Sequence, residues 1–566
     1  MPHTVTSAQS DAGRITRFGS QSDWQKGPEI QHIEFDQSKG RAEPIIDENL
    51  VRAEGEDEVT FYLVFLIAVA ALAGFLFGYD TGIVGVALPL VGDELTGSTL
   101  TYSQQEIVTA GTTIGAIFGS AILGAFADRL GRKLALLISD IFFTLGAVLI
   151  ACSYSLPQII VGRVVLGLGV GGAGVVGPLY IAELAPTAVR GRCIGTNAFF
   201  IPFGQVVASA VGAGAKDVKN AWRLLFALGV VPSILQLCMM HFLPESPRVM
   251  IVRGEDKEAL DIFHKIYSKA TPEILDLKFS LAKSYVAATT EMQQRYSFVT
   301  RSKRLWTHKP YRRAIISVSG LQIICQLTGF NTLLYYSGTL FGLLGFSNAG
   351  LAGLIPSGLN AFFGFLSMLV VDRVGRRRLI LIFFPIMMSG LVWCAISAWY
   401  LTASTGHFLV DGVDYDHQLA GILVGGIVVF VVGYGSCCSL GWYQSEYLAL
   451  EIRATGSAIA TTCLWLANLV VSVSYLTQLE TITPTGTFCL YLGFSVCGFI
   501  FLYLCYPESK GISVDEIARL FEDDFGVAVS RNIRAEKEAA LKRNHDIEMA
   551  EMTSPSAITG TDRSRT

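Results

Sequence analysis

The feature that most constrains this chain is the repetition of long apolar runs. The first extends from about Phe61 to Val91, and its only ionisable acid is Asp80. Further runs follow at about 104–127, 134–153, 157–184, 192–214 and 221–243. After a hydrophilic stretch, six more read as 312–343, 349–371, 378–402, 418–447, 455–478 and 485–506. Crossing a bilayer as a helix takes about 20 residues, and each run is that long. Only 16% of the 566 residues are charged, against about 25% in an ordinary soluble domain, and the mean hydropathy is +0.47. The pattern predicts an all-α membrane protein with twelve transmembrane helices in two sets of six.

Several functions are excluded on composition. A net charge of −4 gives no reason to expect a nucleic-acid partner. The eleven cysteines fall in or beside apolar runs without regular spacing, and the eight histidines show no ligand spacing, so neither a disulfide framework nor a metal site is expected. Gly167-x-Gly169-x-x-Gly172 spells a dinucleotide fingerprint, but it lies inside the fourth run with no strand before it. Close helix packing explains it, and no cofactor is expected. Nothing resembles a nucleophile with its base, so the chain reads as no enzyme. The polar N-terminus lacks the apolar core of a secretory signal.

Lysine and arginine in the short loops set the expected orientation. Arg129, Arg132 and Lys133, then Arg190 and Arg192, then Arg373 and Arg376 to Arg378 would face the cytoplasm, while loops 92–103 and 403–417 carry none. The pair Lys216 and Lys219 is the exception. Both termini are then cytoplasmic, and the chain divides into a disordered tail (1–58), a six-helix bundle (59–243), a cytoplasmic linker (244–310), a second bundle (311–506) and a polar tail (507–566). In the linker, Leu260, Phe263, Ile266 and Tyr267 fall at helical spacing. Ser513-Val-Asp-Glu516 reads as a capping box opening a tail helix with Ile517, Leu520 and Phe521 on one face.

Three landmarks occur twice. Asp128-Arg-Leu-Gly-Arg-Lys133 follows the second run and Asp372-Arg-Val-Gly-Arg-Arg377 follows the eighth. Glu183 and Arg190 recur as Glu446 and Arg453, and Pro244-Glu-Ser246 recurs as Pro507-Glu-Ser509, both at an offset of 263 residues. The first pair is offset by 244, the longer ninth-to-tenth loop absorbing the difference. Two similar halves with a site between them is the build of rocking transporters. Asp128, Arg129, Arg132, Glu183 and Arg190, with Asp372, Arg373, Arg376, Glu446 and Arg453, are the expected cytoplasmic gate, pairing across the halves when that side is shut.

These landmarks carry a resemblance. Gly162-Arg163, Pro178-Leu-Tyr-Ile-Ala-Glu183 through Arg190-Gly-Arg192, Pro244-Glu-Ser-Pro-Arg248, Gln326-Leu-Thr-Gly-Phe-Asn331 with Tyr335-Tyr336, and Pro507-Glu-Ser-Lys-Gly511 resemble the signatures of the sugar porter family of the major facilitator superfamily. Leu305-Trp306 before Arg312-Arg313-Ala314, Gln444-Ser445-Glu446 and Thr483-Pro-Thr-Gly-Thr487 are similar to fungal proton-coupled myo-inositol transporters. The resemblance implies the major facilitator fold and alternating access to a small polyhydroxyl solute, with a proton as the coupling ion.

It further implies a solute site of Gln205, Gln322, Gln326, Asn331, Asn360 and Trp442, with Asn468 close by. Amides suit such a ligand, because each offers a donor and an acceptor to vicinal hydroxyls without the desolvation cost of a charge. Cys325, Leu464 and Gly441 depart from the family pattern, and Ser436-Cys437-Cys438 replaces a Gly/Pro-rich break. A hexose carrier and a non-transporting sensor therefore stay open as alternatives. Asp80 matches the position that proton-coupled members use. Counting inward along the first and fourth runs puts Asp80 and Arg163 in the same half of the bilayer, so the two are expected to pair. A carboxylate at that depth costs about 2.5–3.5 kcal/mol on insertion scales, and proton coupling is the job that would repay it.

Overall fold

The structure is a computed structural model. It describes residues 59–539 except 96, 98, 187–188, 216–217, 296–297, 346–348, 411, 450–451, 511, 513–519 and 537–538. The expected N-terminal tail and the Ser513–Glu516 cap lie outside the described residues. Those that are described contain no strand and twelve helices long and apolar enough to cross a membrane. In order, spans one to six are Phe61–Gly92, Tyr102–Leu130, Arg132–Ala151, Leu156–Leu184, Arg190–Gly214 and Ala221–Met240. Spans seven to twelve are Lys309–Tyr335, Leu351–Val374, Arg376–Leu401, His417–Tyr447, Arg453–Thr481 and Thr483–Cys505. Large apolar side chains such as Phe118, Trp393, Trp399 and Tyr503 point outward, as they must in a body solvated by lipid.

Small residues let the spans approach closely. At Gly167, Gly169 and Gly172 a Cβ atom would lie 2.1 Å from Thr112 O, 2.4 Å from Ser139 O and 2.3 Å from Leu123 Cδ1. The fingerprint-like glycines are thus the contact surface of span four against spans two and three, as small residues usually are between helices in lipid. Pro178, Pro202, Pro356 and Pro385 sit inside continuous helices, and Pro232 follows a break at Gly229.

The larger interruptions gather in the second half. Span seven runs helically to Leu327 and restarts at Phe330, with Gly329 at φ +85° between them. Only glycine suits that joint, since a Cβ would also meet the Tyr491 ring at 2.7 Å. Span ten is α-helical to Cys437 and then tightens to a 3-10 helix over Cys438–Tyr447. Span eleven is broken after Ser472 and resumes over Tyr475–Thr481. Broken helices at this depth free backbone groups and re-aim side chains, the usual setting of a transporter site.

Between the halves the described residues form four helices, Pro247–Arg253, Asp256–Ile266, Pro272–Arg295 and Phe298–Thr307. In the second of these, Ala259, Ile262 and Ile266 form the buried stripe, with Leu260 and Phe263 half-buried beside it. Leu520 and Phe521 are buried in the main core, and Arg313 Nη1 donates to Phe521 O at 2.9 Å, which ties the polar tail to the start of span seven.

Candidate functional site

Asp80 sits midway along span one and Arg163 seven residues into span four. Their side chains meet as a salt bridge between Asp80 Oδ1 and Arg163 Nη1, with side-chain exposures of 4% and 1%. The guanidinium also donates from Nε to Val108 O of span two at 3.4 Å and lies 6.0 Å from the Phe226 ring of span six. Spans one, two, four and six, all of the first half, therefore enclose one ion pair. Gly111 of span two lies against it, where a Cβ would come within 2.9 Å of Arg163 Cβ.

Two residues further along span two the seam between the halves begins. Thr113 Oγ1 donates to Asn468 Oδ1 at 3.1 Å, and Tyr335 OH donates to the same oxygen at 3.3 Å. Asn468 Nδ2 donates to Gln326 Oε1 at 2.9 Å, and Asn331 Nδ2 donates to that oxygen at 2.5 Å. The broken segment of span seven is what turns Asn331 back onto Gln326. A second cross-seam bond runs from Asn360 Nδ2 to Gln205 Oε1 at 3.1 Å, beside a Ser357–Ser209 contact of 3.4 Å. Gln322 donates instead to Gly441 O at 3.0 Å and Gln444 Oε1 at 3.1 Å, and Gln444 Nε2 donates to Thr461 Oγ1 at 2.9 Å. So Gln326, Asn331 and Asn468 form one cluster, Gln205 with Asn360 a second, and Gln322 belongs to a third within the C-terminal half.

Apolar faces complete the seam. The Phe77 ring of span one stands edge-on to Trp442 at 6.0 Å and to Trp465 at 5.2 Å. Trp465 is buried, and its Nε1 has no hydrogen-bond partner. Cys325, between Gln322 and Gln326 on span seven, points its thiol at Cys438 O at 3.8 Å inside the C-terminal half.

At the end of the molecule that carries the basic loops, the duplicated motifs build the same bracket twice. Arg132 holds Asp128 at 2.7 Å and Glu183 at 2.8 Å, Ser246 Oγ donates to Glu183 at 2.5 Å, and Glu245 accepts from Arg132 N at 2.8 Å. In the second half Arg376 holds Asp372 at 3.0 Å and Glu446 at 3.1 Å, Ser509 Oγ donates to Glu446 at 3.3 Å, and Glu508 accepts from Arg376 N at 2.9 Å. Gly131 (φ +91°) and Gly375 (φ +101°) make each turn, where a Cβ would strike the bracket glutamate at 2.2 and 2.4 Å.

These acids pair within their own half rather than across to the other. Among the described residues, the ion contact that does cross is Arg192 to Asp372 at 4.0 Å, partly exposed. Arg190 and Arg453 join neither bracket: Arg453 Nε donates to Leu448 O at 3.4 Å, and Arg190 Nε is buried without a partner. Arg129 is exposed, and Arg373 contributes its carbonyl to Lys510. Sequence reasoning missed Thr113, Tyr335, Gln444, Thr461 and Trp465 at the seam, and Arg192 and Arg248 at the brackets. A polar residue inside an apolar span was the available signal for Thr113 and Thr461.

A twelve-span body with an uncharged polar seam between two repeated halves is the build of a solute carrier. A family model described as sugar (and other) transporter matches residues 66–521. Two proteins of Cryptococcus neoformans, named myo-inositol transporter 3C and myo-inositol transporter 2, are 60% and 63% identical over 526 and 499 residues. Those alignments cover 92% and 88% of this chain and 89% and 90% of the relatives. Among solved structures, the proton:xylose symporter XylE of the major facilitator superfamily, bound to 6-bromo-6-deoxy-D-glucose, gives a TM-score of 0.69 at 25% identity, covering 81% of this chain and 99% of that one. The chain belongs to the sugar transporter family: it is a multi-pass membrane carrier of major facilitator fold for a sugar or polyol, and not an enzyme.

Proposed function

We propose that this carrier imports a cyclic polyol, myo-inositol before any other, together with a proton. Uptake would be across the cell-surface membrane, with the basic loops and both termini in the cytoplasm. The observation that carries the reading is the buried Asp80–Arg163 pair lying against the amide seam through span two.

Amides that bond one another can exchange those partners for solute hydroxyls at little net cost, because a protein hydrogen bond is worth only about 0.5–1.5 kcal/mol net. Gln205, Asn360, Gln326, Asn331 and Asn468 would make that exchange, and Gln322 would do so from its place beside Gln444. Trp442, Trp465 and Phe77 would cover the C–H face of the ring, with Trp465 Nε1 a ready donor. Because two of the clusters reach across the seam, through Thr113 to Asn468 and Asn360 to Gln205, a solute between them draws the halves together.

The proton acts next door. While Asp80 is ionised it holds Arg163, and separating two buried charges is costly. A proton on Asp80 Oδ1 removes that attraction, leaves Arg163 on Val108 O, and lets span one shift against span four. Rocking then carries proton and solute inward as the brackets at Glu183 and Glu446 hold the helices of each half as rigid sets. Expressed in yeast lacking its own inositol carriers, the protein should concentrate labelled myo-inositol above the outside level and lose that gradient when a protonophore is added. Preference for glucose would replace the polyol by a hexose, gradient-free uptake would remove the proton, and no uptake of either at normal surface abundance would point to a sensor.

A further inference from the structure

The end of the molecule opposite the basic loops is closed by a clasp that plays no part in the solute or proton chemistry above. Glu106, near the start of span two, is only 6% exposed. Its Oε1 accepts from the backbone N–H of Thr477 at 2.9 Å and its Oε2 accepts from Thr477 Oγ1 at 2.8 Å. Thr477 lies in the last segment of span eleven, so one side chain of the first half grips one residue of the second through both carboxylate oxygens. Among the described residues no lysine, arginine or histidine forms a salt bridge with Glu106.

The grip has company. Gln105 Oε1 accepts from Thr339 Oγ1 of the segment after span seven at 2.9 Å. Gly85 of span one lies where a Cβ would meet Leu334 O at 2.1 Å and Ser337 Oγ at 2.6 Å. Tyr336, stacked on Tyr475 at 5.6 Å, donates its hydroxyl to Ser472 O at 2.5 Å and so braces the break in span eleven from which Thr477 projects.

The clasp is not an inheritance of the duplication. The offset of 244 residues that relates spans two and eight carries Glu106 onto Gly350, and the offset of 263 that relates spans five and eleven carries Thr477 back onto Gly214. Neither partner has a polar counterpart. A buried carboxylate without a cation is tolerable only while both its oxygens are bonded, so the halves are favoured shut here until water or a conformational change replaces Thr477.

We infer that Glu106 and Thr477 are the latch of the gate at this end, and that solute exchanges with this face only after Glu106 releases Thr477. The inference rests on the chain being an alternating-access carrier, but not on which solute it carries or on proton coupling. Glu106→Gln keeps an acceptor for the Thr477 N–H and offers an amide donor to its hydroxyl, whereas Glu106→Ala keeps nothing and Thr477→Val loses one bond of two.

The test is the rate at which a membrane-impermeant maleimide, applied from this side, modifies a Ser337→Cys reporter in the full-length chain, read by peptide mass spectrometry. Ser337 is buried in the seam beside Gly85. Glu106→Ala should raise the rate at least about tenfold and Thr477→Val about threefold, each hydrogen bond to a charge being worth that much or more. Glu106→Gln should return it close to the parent value. Unchanged labelling in both Glu106→Ala and Thr477→Val, or a Glu106→Gln rate as high as that of the alanine, overturns the latch. If the alanine chain fails to reach the membrane, Thr477→Val and Glu106→Gln decide alone. Labelling needs no solute, so a failed uptake assay with intact latch behaviour counts against the solute reading and not against this one.

Discussion

The two halves share a skeleton and differ in their interiors. Arg132 with Asp128 and Glu183 is repeated by Arg376 with Asp372 and Glu446, except that Arg132 Nε also donates to Glu183 at 3.0 Å while Arg376 Nε is buried without a partner. Above the brackets the likeness ends. The first half buries one ion pair among helices with a single break, at Gly229. The second buries every amide of the candidate solute site except Gln205, and among the described residues three of its spans are interrupted. A rigid surround keeps a buried charge in contact with its partner, whereas neutral amides tolerate the freed backbone of broken helices. Duplication thus preserved the frame, and the two interiors took on separate chemistry.

The largest break in that comparison should come from Asp80→Asn. The variant keeps the shape and one hydrogen bond but removes the charge, so net accumulation of solute should disappear while exchange of labelled for unlabelled solute continues. Accumulation against a gradient by this variant would refute the coupling role. Next in size is Gln326→Ala in the other half. Its Oε1 accepts from both Asn331 and Asn468, and losing the hydrogen bonds that Gln326 would exchange for solute hydroxyls, at about 1 kcal/mol each, should raise KM for uptake about ten- to thirtyfold with accumulation intact.

The smallest difference lies between the matched brackets. Glu183 is 6% exposed and bonded to Arg132, Ser246 and, at 3.7 Å, Arg248, while Glu446 is 17% exposed with Arg376 and Ser509. Breaking a buried pair from one side costs about 3–5 kcal/mol, and exposure softens it. Glu183→Gln should therefore lower the melting temperature of the detergent-solubilised protein by a few degrees more than Glu446→Gln. The reverse order would mean that the second bracket is the tighter one.

How much of this was legible follows residue by residue. The spans were read to within about three residues at most ends, because a helix must be apolar over its whole length to cross lipid, and that is written locally. Asp80 and Arg163 could be paired by depth, since both run directions and the rise per residue are known. The brackets were visible as repeats, but their pairing within each half was not, because Arg132 and Glu183 are brought together by helix packing. Pro232 stood three residues past the break at Gly229, but the break after Ser472 had no proline to mark it. Glu106, one acid in a polar helix start, carried no signal at all until Thr477 stood opposite, 371 residues away along the chain.

The sequence alone settled the number of spans, the duplication and which residues were too polar for lipid to be idle. Those properties depend on transfer of side chains from water to hydrocarbon, and each segment bears that cost by itself. Which polar groups meet is another matter: Thr113 with Asn468 and Gln205 with Asn360 join different halves, and their contact depends on where whole helices come to rest. Only the packed structure decides it, because a hydrogen bond forms over about 3 Å and nothing along the chain fixes distances that short between remote segments.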